Sequence, residues 1–258
     1  MKLSIITVNY NDAIGLERTL ESVKTQSNTD YELLVIDGGS DDGSVEVIQE
    51  FSEYVDHWIS ESDDGIYNAM NKGIRAAKGE YVLFLNSGDA FYSPQAVQYF
   101  YESELSTDFI YFDVRLIKSD QAILRQAPDK LTFSFLRKQM PFHQVTFIKR
   151  ELFYTFGFYD ESLAIVSDWK FFILAVAKHN ATYGHVPKVL SDHYHDGISA
   201  DPANKELIDR ERTSVLQEHF PLFVEDALEL EEYQTLFQKM NRSRKIKLLT
   251  RLGIIPRL

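Results

Sequence analysis

The chain has 258 residues, 44% of them hydrophobic, enough for one catalytic domain with a full core and an appendage. It contains no cysteine, so thiolate metal sites, disulfide scaffolds and cysteine nucleophiles are excluded, and any metal must be held by oxygen or imidazole. The formal charge of -12 argues against nucleic acid as a partner, because phosphate binding needs a basic footprint.

Residues 3–8 are apolar and β-branched and run into the turn residues of 9–12, which predicts a strand. Preceded by Lys2 alone, this run is too brief for a signal peptide or a bilayer span, so a soluble, cytoplasmic body is expected. Ile14, Leu16, Leu20 and Val23 recur at helical spacing and predict a helix over 13–26. A second strand over 31–36 is broken by Asp37, Gly38 and Gly39, and Ser40 or Asp41 is placed to cap a helix carrying Val45, Val47, Ile48 and Phe51. A short strand at 57–60, a helix over 67–77 and a buried strand at 81–85 continue the alternation, which predicts a right-handed parallel βαβ array. Beyond 86–89 come a helix near 94–104, a strand at 109–112, a polar hairpin, a strand near 144–148, a helix over 168–179 and strands within 182–190, an α+β half. From Tyr233 onward there is no Asp or Glu, while Lys239, Arg242, Arg244, Lys245, Lys247, Arg251 and Arg257 add positive charge, so an acidic body carries a basic tail.

In open α/β sheets a ligand sits beyond the carboxyl ends of the strands, at a topological switch point. Four polar clusters fall at such ends: residues 7–11, 37–43, 61–65 and 86–89. A single cluster is usually just a turn. Four together, all bearing acids or amides, point to a ligand. Asp37 follows a buried strand and either caps the next helix or, with Ser40 or Asp41 as the cap, is left free to accept hydrogen bonds from that ligand. Lys72 and Arg75 share a helix face and can meet a phosphate or pair with Asp63 and Asp64. Asp168 stands ahead of an apolar helix and reads on spacing alone as a cap or dipole partner. A lone histidine such as His143 is more often a structural hydrogen-bonder than a ligand.

The runs IITVNYN, VIDGGSDDGS and ESDDGIYNAMNKGIRAAKGEYVLFLNSGD, followed by SDW, resemble in order and spacing the family 2 glycosyltransferases of the GT-A fold. The likeness is densest over 3–89, thins toward 199 and leaves the tail outside. It implies an α/β fold with a Rossmann-like, mostly parallel central sheet flanked by helices. The catalytic domain would span 1–225, with a nucleotide-binding half at 1–105 and an α+β acceptor-side half at 106–225, and a helical basic tail would follow at 226–258. The implied activity is inverting transfer of a sugar, with a UDP-sugar as the expected donor, to a hydroxyl of a glycan or lipid-linked acceptor in bacterial surface polysaccharide synthesis.

By the same resemblance, Thr7, Asn9, Asp37, Asp64, Lys72, Asn86 and Ser87 line the nucleotide-sugar site, and Asp168 is the general base. Partial desolvation, helped by Trp169, is expected to raise its pKa. Asn86-Ser87-Gly88-Asp89 stands where the family commonly carries an acidic metal motif, which leaves Asp89 as its only acid. His195, or His193, in a segment approximating the family's Gly-Gly-x-Ser loop, would complete the ligands. A weakly bound divalent cation, Mn or Mg, is therefore expected. The depleted motif keeps open a non-catalytic nucleotide-sugar-binding module. A sugar nucleotidyltransferase would need glycine or Lys within 8–12, where neither occurs, and no Gly-x-Gly-x-x-Gly marks a dehydrogenase. The tail has the composition of a helix lying on the inner face of an anionic membrane, with packing on the body or a homodimer contact as the alternatives.

Overall fold

The computed structural model describes residues 2–118, 121–194 and 201–243, together with Ile246 and Arg251. Leu3–Asn9 (β1), Tyr31–Asp37 (β2) and Tyr81–Phe84 (β4) are buried almost throughout, as parallel strands covered on both faces must be. His57–Ser60 (β3) is the more exposed edge. Between them lie the helices Ala13–Lys24 (α1), Ser44–Glu50 (α2) and Ile66–Ala76 (α3). Helix α1 begins where Asp12 accepts from the Gly15 N–H at 3.0 Å, and it buries Leu16, Leu20 and Val23. Helix α3 lies so close to the sheet that a Cβ on Gly73 would stand 2.6 Å from a methyl carbon of Ile6.

The second half contributes Ala90–Phe91 (β5), Ala96–Glu102 (α4), Phe109–Lys118 (β6), Gln121–Arg125 (β7), Phe133–Leu136 (α5), Thr146–Lys149 (β8), Glu151–Phe156 (α6), Ser167–Ile173 (α7) and Tyr183–Tyr194 (β9). Strands β1 to β9 join one sheet of order β3-β2-β1-β4-β8-β6-β9-β5, with β7 folded back on β6. Strands β1 to β4, β6 and β9 run one way and β5, β7 and β8 the other. Strands β1 and β4 therefore form the switch point, and the carboxyl ends of β1 to β4 and β9 open on the same side. Phe100 stacks on Phe147 with centroids 4.3 Å apart, tying α4 to β8. Phe153 stacks on Phe171 at 4.4 Å, and the Trp169 indole donates to the Leu136 carbonyl at 2.6 Å. Those contacts fix the start of α7, and Asp168 with it.

The alternation read from the sequence is present, with three differences. Helix α2 begins at Ser44, and neither Ser40 nor Asp41 caps it; Gly43 is its N-cap and Asp42 accepts from the Ser44 amide at 3.1 Å. The helix expected over 168–179 is α-helical only to Ile173 and continues as a π-helix over Leu174–Lys178. The strand expected within 182–190 runs on to Tyr194, because its last residues pair with β5 and β6.

The chain divides into two compact units, Met1–Glu211 and Arg212–Leu258, a division that falls inside Lys205–His219 (α8). The second unit also holds Pro221–Arg242 (α9), whose Leu222, Leu230, Tyr233, Leu236 and Phe237 are exposed. Among the described residues no helix is long and apolar enough to cross a membrane.

Candidate active site

Strand register brings the first cluster together. Asn9 lies beside Asp37 and Asp37 beside Ser60, so the ends of β1, β2 and β3 meet at one carboxylate. Asp37 is fully buried and accepts from Asn9 Nδ2 at 2.7 Å, Ser40 Oγ at 2.6 Å, Ser60 Oγ at 2.6 Å, and the N–H groups of Gly39 at 3.2 Å and Ser40 at 3.0 Å. Burial alone would raise its pKa, but these donors outweigh it and hold the carboxyl below the usual range. Five donors from the chain itself thus hold this carboxylate, and Ser40, the expected helix cap, supplies two of them.

The second cluster is built at the end of β4. Gly88 has φ +94°, a left-handed turn that lets the Asp89 amide donate to the Asn86 carbonyl at 3.1 Å. Ala90 pairs with Asp192 and Phe91 with Ser191, an antiparallel register that sets Asp89 opposite His193. Asp89 Oδ1 and His193 Nδ1 are 2.7 Å apart, and the Asp89 side chain is 8% exposed. Asn86 Nδ2 lies 3.4 Å from Nε2 of His143, and Nδ1 of His143 lies 3.6 Å from Oδ2 of Asp168. Tyr67 completes the group, its hydroxyl 2.9 Å from Asp168 Oδ1 and 2.5 Å from the Ile165 carbonyl.

Asp168 retains 19% side-chain exposure. The expected rise in its pKa is reversed. Burial pushes it up, but His143, the Trp169 N–H and the Tyr67 hydroxyl together hold it below the usual carboxylate value. For His143, burial pulls downward, and Asp168, with Asp89 behind it, outweighs that and raises the ring's pKa. The Tyr67 phenol is pushed well up, first by burial and then by the charge of Asp168, and stays protonated as a donor.

Of the remaining expected residues, Thr7 and Asn9 are buried, with Thr7 Oγ1 and Asn9 Oδ1 among the buried polar atoms that have no hydrogen-bond partner among the described residues. The Ser87 amide donates to the Val8 carbonyl at 3.1 Å and locks its turn to β1. Lys72 takes the pairing alternative: it contacts Asp63 and lies 2.8 Å from Glu61. Arg75 sits 4.6 Å over the Phe158 ring. Asp64 is exposed, and it is Asp63 that meets Lys72. His195 lies outside the described residues, and the histidine that meets Asp89 is His193. The polar run Ser191–Tyr194 gave no strand signal; recognising that it pairs with residues 90–91 would have placed His193. His143 and Tyr67 sit far from Asp168 in sequence and had no local signal as its partners.

The comparisons with known proteins agree with this fold. The family model described as glycosyl transferase family 2 matches residues 4–165. This chain belongs to that family. The glycosyltransferase is 34% identical over 179 residues to an uncharacterized glycosyltransferase of Mycobacterium tuberculosis H37Rv, covering 67% of this chain and 68% of the relative. To a PGL/p-HBAD biosynthesis glycosyltransferase of Mycobacterium bovis BCG it is 31% identical over 215 residues, covering 80% of this chain and 82% of that one. Among solved structures it resembles Staphylococcus aureus TarS 1-349 in complex with UDP-GlcNAc, with TM-score 0.68, 18% identity, and 84% and 67% of the two chains covered. It also resembles the Pyrobaculum calidifontis mannosyltransferase PcManGT in complex with GDP-Man and Mn2+, with TM-score 0.56, 16% identity, and 96% and 83% covered. At these identities the solved structures support the GT-A fold and nothing finer. Among the described residues no group of three or more His, Asp or Glu side chains is arranged to hold a metal.

Proposed function

We propose that this glycosyltransferase moves a sugar from a UDP-sugar to a hydroxyl of a glycan or lipid-linked acceptor with inversion, using Asp168 as the base. The observation carrying this reading is the placement of Asp168: a mostly buried carboxylate with one oxygen held by Tyr67 and the other facing His143. The Asn86–Asp89 turn at the switch point adjoins it through His143. The acceptor oxygen forms a bond to the anomeric carbon as the bond from that carbon to the diphosphate breaks. The acceptor's proton passes to Asp168, and the electron pair leaves with the diphosphate. Attack from the face opposite the leaving group turns an α-linked donor into a β-linked product, with no covalent enzyme intermediate.

Asp89 and His193 would hold a divalent cation. An oxygen and an imidazole nitrogen side by side fit Mn or Mg only if the diphosphate supplies further ligands, which is why binding without nucleotide should be weak. Such a cation would supply positive charge to the diphosphate as it leaves. Asn9 and Thr7 have buried polar atoms to offer the nucleotide, and Asn86 has its carbonyl oxygen. Asp37 acts behind them by ordering the strand ends. The basic tail is read as a contact with the anionic inner face of the cytoplasmic membrane, where a lipid-linked acceptor would lie. Its residues beyond Ser243 lie, apart from Ile246 and Arg251, outside the described residues. Sedimentation with liposomes of graded anionic content tests the contact: binding lost on truncation after Gln238 supports it, whereas concentration-dependent self-association lost on that truncation favours a dimer.

The activity is tested by thermal-shift screening of UDP-, GDP- and dTDP-sugars with and without manganese, followed by NMR of the transferred linkage. A β-linked product from an α-linked UDP-sugar supports the reading. An α-linked product, or stabilisation without turnover of any donor, contradicts it, and the latter would favour a binding module.

A further inference from the structure

Tyr67 and His143 meet at Asp168, and Asn86 stands behind His143. His143 begins the 3-10 turn His143–Val145 that leads into β8, and its two ring nitrogens face different groups: Nδ1 faces Asp168 at 3.6 Å and Nε2 faces the Asn86 amide nitrogen at 3.4 Å. A carboxylate only accepts, so closing the 3.6 Å gap to a hydrogen bond requires a proton on Nδ1. In a neutral ring Nε2 is then a lone pair, which needs a donor. The Asn86 amide is that donor. Its Oδ1 is buried and has no partner among the described residues, so a turn of the amide can also offer an acceptor when the ring is charged. A carboxylate at 86 has no such choice, since it can satisfy only a protonated Nε2 and would hold His143 charged between two acids.

We propose that Asn86 and His143 are positioning residues for the base: the Asn86 amide keeps His143 as the neutral ring with its proton on Nδ1, and that N–H orients the Asp168 carboxylate toward the acceptor hydroxyl. The proposal rests on the reading of Asp168 as the base. The charged groups acting on His143 are Asp168 and, farther off, Asp89; the Tyr67 hydroxyl approaches the base from its other side. Because Asn86 adds no charge, His143 can lose its proton and leave Asp168 outside a permanent ion pair. A base released from that pair takes up a proton more readily. Transfer should therefore rise with pH as His143 becomes neutral.

The ring can be read directly by long-range proton–nitrogen NMR of the full chain labelled in histidine, with the His143 signal assigned by its loss in His143→Asn. The expected result is the Nδ1–H tautomer above the titration midpoint of wild-type His143, and a midpoint raised by roughly one pH unit or more in Asn86→Asp. With the UDP-sugar that supports transfer, His143→Ala should lower kcat by roughly 10- to 100-fold at unchanged donor KM. His143→Asn, whose amide nitrogen can stand where Nδ1 stands, should recover most of that loss and abolish the acid limb of the pH profile. An Nε2–H tautomer in the wild type, an unmoved midpoint in Asn86→Asp, or a near-normal rate in His143→Ala overturns the proposal. If Asp168→Asn is inactive while His143→Ala is active, only the positioning role fails; if Asp168→Asn is active, the assignment of the base fails and this proposal fails with it.

Discussion

The carboxyl ends of β2 and β4 hold acids in opposite states. At β2, Asp37 is surrounded by five donors from its own chain and is sealed from solvent. At β4, Asp89 meets a single imidazole, Asn86 keeps an unpartnered oxygen, and Asp168 nearby remains partly exposed. A saturated carboxylate has finished its work in holding three strands in register. One with spare valence and a path to solvent can still meet a ligand. Both ends read alike as polar turns in the sequence, and the difference between them lies in how many donors the fold brings to each.

That contrast is broken most strongly at Asp37. Asp37→Ala leaves Asn9, Ser40, Ser60 and two backbone N–H groups without their acceptor, and should cost about 3 kcal/mol of stability or more. Urea unfolding measures it, and a loss confined to donor affinity at full stability would put Asp37 in the ligand site. Gly73→Ala, which drives a methyl toward Ile6, should cost about 1 to 3 kcal/mol by the same assay without touching the β4 end.

Acid tests the donors around Asp37 as well. Asp37 has its folded pKa depressed, and Asp160, paired with Lys170 at 2.6 Å, is lowered to about 2. A depressed carboxylate contributes stability that is present above its unfolded pKa of about 3.9 and is lost as pH falls through the folded value. Stability should therefore fall as the pH drops from about 4 toward 2, and Asp37→Asn should flatten that fall. An unchanged slope in the variant would mean that Asp37 gains nothing from its donors. The smallest effect is expected at Lys72. Its pairs with Glu61 and Asp63 lie near the surface, so Lys72→Met should change stability by less than about 1 kcal/mol. A large loss of UDP affinity in that variant would show that Lys72 leaves its acids to meet the diphosphate.

The legible part of the fold was the part set by local pattern. Strands β1, β2 and β4 are continuous apolar runs, and Leu16, Leu20 and Val23 mark α1 at helical spacing, so the parallel array and its order of elements could be read directly. The start of α2 could not, because Asp37 to Gly43 offers several residues able to cap and only tertiary contacts decide which is occupied. Strand β5 is two residues long and carries no period. The end of β9 is polar and reads as a loop until its pairing with β5 is known, and His193 was therefore no better marked than His195. At the site, Asp89 and Asp168 were both visible as residues. The direction of the Asp168 shift was not, because it depends on His143 and Tyr67, which the fold delivers from other elements.

Asp168→Asn keeps the size of the side chain and removes its ability to take a proton. Single-turnover transfer from the active UDP-sugar, measured beside UDP affinity by calorimetry, should show the rate lowered by roughly 100-fold or more with affinity and melting temperature nearly unchanged. A variant that transfers at a near-normal rate, or one that loses UDP binding along with the rate, would contradict the assignment of Asp168 as the base.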